Sequence, residues 1–91
     1  MNLRKLARGR ECQIRLPGVC NGDSETVVLA HYRMAGLSGM GMKSPDLCGA
    51  WACSSCHSLV DSSHAPDVVI AFLQGVLRTQ AALIREGVVK W

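Results

Sequence analysis

Two cysteine pairs constrain this chain more than any other feature: Cys12 and Cys20 are separated by seven residues, Cys53 and Cys56 by two. A tetrahedral metal ion is satisfied by four soft ligands drawn from distant parts of a chain, and closing them around one ion stabilises a fold with little core of its own. The chain has 91 residues, enough for one modest core, and no internal repeat or low-complexity linker divides it. A single domain over 1–91, built around a structural Zn2+ held by Cys12, Cys20, Cys53 and Cys56, is therefore expected. Pro17-Gly18 is a turn signal inside the first pair, able to fold its thiolates together, and the second pair has the spacing of a knuckle opening onto a helix. Cys48 is the leftover, expected as a small buried thiol near the site.

Other uses of these cysteines are open to the same residues. Two disulfides with one thiol over would need an oxidising compartment. The first ten residues are basic but lack the apolar stretch of a secretory signal, so a cytoplasmic location is expected, where cysteine spacing reads as metal binding. Cys53-Ser54-Ser55-Cys56-His57 matches the attachment pattern of c-type haem, which requires export and leaves the first pair unexplained. A thioredoxin-like redox role lacks the surrounding βαβ pattern. No apolar run approaches the length needed to span a bilayer, so no membrane partner is expected.

Charge is uneven. Residues 1–43 carry seven Lys/Arg against three acids, residues 44–91 three against four. Arg4, Lys5, Arg8, Arg10 and Arg15 crowd the first fifteen positions, as a phosphate-binding surface requires, although a basic, solvated tail (1–11) has the same composition.

Thr26 to Tyr32 is rich in β-branched and apolar residues after the Asn21-Gly22 turn and reads as a short strand with His31 near its end. Residues 34–50 hold Gly36, Gly39, Gly41, Gly49 and Pro45, too many breakers for a helix; a flexible loop returning as a second strand over Gly49 to Ala52 is expected. Cys53 to about Asp61 can form a short helix. A long one should run from roughly Pro66 to Glu86, with Pro66 in its first turn and Gly87 as its stop. Val69, Phe72, Leu73, Val76, Leu77, Leu83 and Ile84 recur at helical spacing and read as one stripe for core packing or a homodimer seam. His64, in a Ser-rich turn, reads as surface.

A cysteine pair, a strand ending in His, a Gly-rich loop and a second pair followed at once by His resemble the zinc-containing HNH nucleases. That resemblance implies an α+β fold with a small treble-clef, or ββα-metal, core: a short β-hairpin and a helix, here with a long C-terminal helix added. More closely, Leu3-Arg4-Lys5, Arg8-Gly9-Arg10-Glu11-Cys12, Leu29-Ala30-His31, Pro45-Asp46-Leu47, Gly49-Ala50-Trp51-Ala52-Cys53 and Leu77-Arg78-Thr79-Gln80 look like the YbcO family of prophage nucleases, over nearly the whole chain. By that resemblance His31 is the general base toward water. His57 would help hold a divalent cation, Mg2+ or Mn2+, against the scissile phosphate. Asp46 stands near the pattern's middle Asn, offset by about two positions, where it would orient the histidine or bind metal. Ala30 occupies the place where many such enzymes carry an acidic ligand, which implies fewer protein ligands for the cation. Without the resemblance, His31 is a satisfied strand-end histidine, and His57 a plain helix residue or an alternative zinc ligand four positions from Cys53.

The function implied is a metal-dependent endonuclease hydrolysing phosphodiester bonds in DNA, phage- or prophage-encoded. Its rival is a noncatalytic zinc module that binds nucleic acid or a protein partner.

Overall fold

The computed structural model describes residues 2–34, 36–37 and 44–90. Gly39 and Gly41 of the expected loop lie outside them. The order is α1 (Leu3–Leu6), β1 (Val28–His31), β2 (Gly49–Ala52), α2 (Ser54–Ser62) and α3 (Pro66–Arg85), with 3-10 turns at Ser24–Thr26 and Asp46–Cys48. It is an α+β architecture with one antiparallel hairpin and a long C-terminal helix, as expected. β2 has the expected bounds, and β1 is shorter than its composition suggests: Thr26 closes a turn that is N-capped by Asp23, and pairing starts only at Val28.

The hairpin register pairs Val28 with Ala52, Leu29 with Trp51, Ala30 with Ala50 and His31 with Gly49. Gly49 is required at that corner, because a Cβ there would lie 2.7 Å from the Leu29 side chain. All four β2 residues are buried. Their mostly small side chains let other elements close on both sides, and Trp51 supplies the volume. The Gln13 N–H donates to the Trp51 carbonyl at 2.7 Å, and the Trp51 N–H donates to Thr79 Oγ1 at 3.0 Å. Both backbone groups of Trp51 are thus satisfied from outside the hairpin, one by the N-terminal segment and one by α3, where an unpaired group would be costly.

The N-terminal basic segment is ordered rather than a solvated tail. Asn2 caps α1 by accepting from the N–H groups of Arg4 and Lys5. Arg10 stacks over Trp51, its carbon 5.2 Å from the ring centroid, and meets Glu86 at 2.6 Å. Arg15 turns back to the Cys12 carbonyl at 3.2 Å. Two of the five clustered cations therefore hold the fold together.

The long helix ends as expected, with Gly87 in the left-handed region at φ 74° and its N–H on the Ile84 carbonyl. The expected single stripe is wrong. Val68, Phe72, Gly75, Val76, Thr79, Ala82 and Leu83 face the core, whereas Leu73, Leu77 and Ile84 are exposed on the opposite side and Val69 is half-buried. The reason is close approach: a Cβ at Gly75 would stand 2.9 Å from the Ile14 side chain, so the inward face needs small residues that a hydrophobicity count passes over. The helix carries apolar residues on both sides, so it is long and apolar enough to cross a membrane by length and composition, contrary to the sequence reading. Its inner face is the core of the domain.

Candidate metal centre and cleft

The first cysteine pair closes because Leu16-Pro17-Gly18-Val19 makes a turn: Gly18 has φ 73°, and the N–H groups of Val19 and Cys20 both donate to the Leu16 carbonyl, at 3.1 and 2.9 Å. Proline before a positive-φ glycine is the type II arrangement. The second pair sits where β2 gives way to α2, with Cys53 as the helix N-cap; its sulfur accepts from the Cys56 N–H at 3.4 Å. The two pieces are tied by Asn21, whose side-chain amide donates to Ser54 and Ser55 Oγ, and by Thr26, which accepts from the Ser54 N–H.

All four sulfurs lie within 4.8 Å of one another, and Cys20 Sγ is 3.9 Å from Cys53 Sγ. A tetrahedral ion with sulfur ligands at about 2.3 Å sets the sulfurs about 3.8 Å apart, so the four cysteines can hold a metal ion with little rearrangement. Cys12, Cys53 and Cys56 are buried and Cys20 half-buried. Burial pushes the Cys20 and Cys56 thiols up. Burial acts on Cys53 too, but the N–H groups of Cys56 and Asn21 outweigh it and bring that thiol down to about 7. Those N–H donors stabilise the charged form that a metal requires. Cys48 stays out of the cage, as expected, but it is half-buried rather than buried, in the turn before β2. His57 is outside the cysteine cluster as well, so the alternative-ligand reading of that residue fails.

Next to the cage is a polar cleft of about 350 Å3 bordered by Arg4, His31, Arg33, His57 and Asp61, with Val28 and Leu29 as its apolar floor. His31 ends β1 with its side chain only 8% exposed, and its Nε2 is 2.7 Å from Asp46 Oδ1. The carboxylate accepts, so Nε2 carries the proton and Nδ1 is left as the basic atom. Asp46 is supplied by the 3-10 turn that leads into β2, and its other oxygen is 3.9 Å from Arg4 Nε. The sequence reading left Asp46 to orient the histidine or bind metal; its position is that of the hydrogen-bond acceptor for His31. On α2, His57 Nε2 is 3.2 Å from Asp61 Oδ2, two ligand-type groups on one helix face at i and i+4.

Ala30 is buried to 1% exposure on the other side of β1, so the residue before His31 contributes nothing to the cleft. Asp61 provides a carboxylate from the helix instead. Sequence reasoning missed it, although the His57-x3-Asp61 spacing on a helix was the available signal. It missed Arg33 too, whose place two residues beyond His31 at a strand end puts it on the same side. His64 is exposed, as read, and borders a neighbouring cavity of about 250 Å3 that shares His31 and Asp61.

The family model described as "Putative nuclease YbcO" matches residues 1–88. This chain belongs to the YbcO family. It is 54% identical to "Putative nuclease YbcO" of Escherichia coli K12 over 98% of this chain and 97% of that protein. The identity and coverage are the same for "Putative nuclease ybcO" of Enterobacteria phage 82, so the family has a phage member. A solved structure of a bacteriophage protein from Escherichia coli K-12 MG1655, titled as putative, superposes with a TM-score of 0.75 at 48% identity, covering 94% of this chain and all of that one. The fold described here is thus shared with a solved phage protein, and this chain's relatives in the YbcO family are named as nucleases.

Proposed function

We propose that this YbcO-family chain is an HNH-type endonuclease of phage or prophage origin, acting in the cytoplasm, that hydrolyses phosphodiester bonds in DNA with a divalent cation. The observation that carries the reading is the facing of two pairs across one cleft: His31 hydrogen-bonded to Asp46 on the strand side, His57 with Asp61 on the helix side.

The cysteine cage is read as a structural Zn2+ site. Four thiolates complete a tetrahedral shell and leave no open position for water. Its part is to fix the end of β2 and the start of α2, and so to hold His57 opposite His31. The cation for the reaction is separate. An imidazole and a carboxylate suit Mg2+ or Mn2+, which keep other positions for waters and substrate phosphate. When bound, such a cation offsets negative charge on the phosphate and the leaving oxygen.

The chain's own residues do the rest. His57 and Asp61 hold the cation in the cleft. His31 takes a proton from the attacking water at Nδ1, and Asp46 keeps Nε2 protonated, fixing the tautomer and orientation as a carboxylate behind a histidine base does. Arg4 and Arg33 border the same cleft and attract the phosphate backbone.

Plasmid nicking with Mg2+ or Mn2+ tests the proposal. His31→Ala should lower cleavage by at least about 100-fold at every cation concentration. His57→Ala and Asp61→Ala should be partly rescued by excess Mn2+, because only cation affinity falls. Both should retain the cysteine-bound metal. DNA binding without nicking by the wild-type protein would select the noncatalytic zinc module instead.

A further inference from the structure

Ile70, Leu73, Leu77 and Ile84 are 55%, 42%, 64% and 37% exposed, although all four lie on the longest helix of a small domain. At about 100° per residue they fall, with exposed Ala81, inside an arc of about 80°. That arc is centred opposite the core face formed by Val68, Phe72, Thr79 and Leu83. The core does not use them, and single-domain surfaces rarely leave such a contiguous apolar strip bare.

We propose that two copies of this chain pair antiparallel through the outward face of α3, about a two-fold axis at Leu77. This inference is independent of the nuclease reading. The spacing of the strip is its own complement: with Leu77 against Leu77 of the partner, Ile70 falls opposite Ile84 and Leu73 opposite Ala81. Each pair is equidistant from the axis, and the small Ala81 makes room for the larger Leu73. The 3-4-7 recurrence is that of a helix seam.

Charge selects the occupant and its direction. Asp67 and Arg85, both exposed, lie on one flank of the strip at opposite ends of α3, about 27 Å apart along the axis. In the antiparallel pair that flank faces itself, so each Asp67 meets the partner's Arg85, twice by symmetry. A parallel pair would carry that flank to the opposite side of the seam, so neither charge would meet its counterpart across it. The other cations near the strip are engaged elsewhere: Arg78 donates to the Gln13 carbonyl at 2.8 Å. Gln80, on the far flank, donates to the Leu47 carbonyl at 2.6 Å. A helix lying on an anionic bilayer would instead carry Lys/Arg along its whole polar side, and here that side is the domain core.

Sedimentation velocity of the metal-loaded protein between about 1 and 200 µM is the test, since self-association shifts with concentration. The mass should rise from the 9.8 kDa chain toward twice that value. Leu77→Glu, at the most exposed position, should remain monomeric throughout with an unchanged circular dichroism spectrum. Asp67→Arg and Arg85→Asp should each weaken association by roughly tenfold, and the double reversal should restore it to within about threefold of wild type. A wild-type protein that stays monomeric over this range overturns the proposal, as does a folded Leu77→Glu variant that dimerises normally. Failure of the double reversal to restore association overturns the antiparallel register.

Discussion

Thr79 is the buried polar contact through which α3 grips the hairpin, and replacing it by valine removes that contact at nearly constant shape. The hydroxyl is 1% exposed; it accepts from the Trp51 N–H at 3.0 Å and donates to the Gly75 carbonyl at 2.8 Å. The two losses are unequal. The Gly75 carbonyl lies inside the helix ladder and keeps its backbone partner, so its loss costs little. The Trp51 N–H points away from β1 in the register, so Thr79 is its acceptor, and a buried donor left unpaired costs about 1–3 kcal/mol. The added methyl returns part of this, at most about 0.8 kcal/mol if it packs without strain. A net loss of about 1–2 kcal/mol follows, which lowers Tm by roughly 4–16 °C in a domain of this size. Thr79→Ser keeps the hydroxyl and should recover the polar part of the loss. Thermal unfolding of metal-loaded protein, followed by circular dichroism, is the assay. Thr79→Val within about 0.5 kcal/mol of wild type, or less stable Thr79→Ser than Thr79→Val, would refute the reasoning.

Cys12→Ser or Cys56→Ser should unfold or aggregate the protein with loss of about one metal ion per chain by elemental analysis, whereas Cys48→Ser should keep both metal and fold. Metal release should occur as pH falls, not as it rises, because protons compete for the thiolates, and a colorimetric metal indicator would follow the release. Arg4→Gln should reduce the salt slope of DNA binding by about 1 with unchanged stability, since it contributes charge to the cleft. Arg10→Gln should do the opposite, lowering Tm through loss of the Glu86 and Trp51 contacts and leaving the slope unchanged.

What the sequence determined by itself was whatever depends on short spacing. Pro17-Gly18 between two cysteines and a C-x2-C opening a helix are local devices, so the cage, the hairpin strands and both helix ends were legible in residue order. The HNH-like pattern directed attention to His31, Asp46 and His57 through resemblance, ahead of any geometry. Only the tertiary structure decided how those residues meet. Asp46 is fifteen residues from His31 and reaches it because the turn before β2 folds back on β1; no periodicity encodes that distance. Asp61 entered the cleft only when α2 fixed which side of the helix faces β1, and Arg10 left the phosphate-binding cluster only when Trp51 and Glu86 came within its reach. The face of α3 was undecidable from hydrophobicity, because both sides are apolar. The inner one was chosen by fit: Gly75 and Thr79 admit Ile14 and the Trp51 backbone, and Leu73, Leu77 and Ile84, too large for that contact, were left outside.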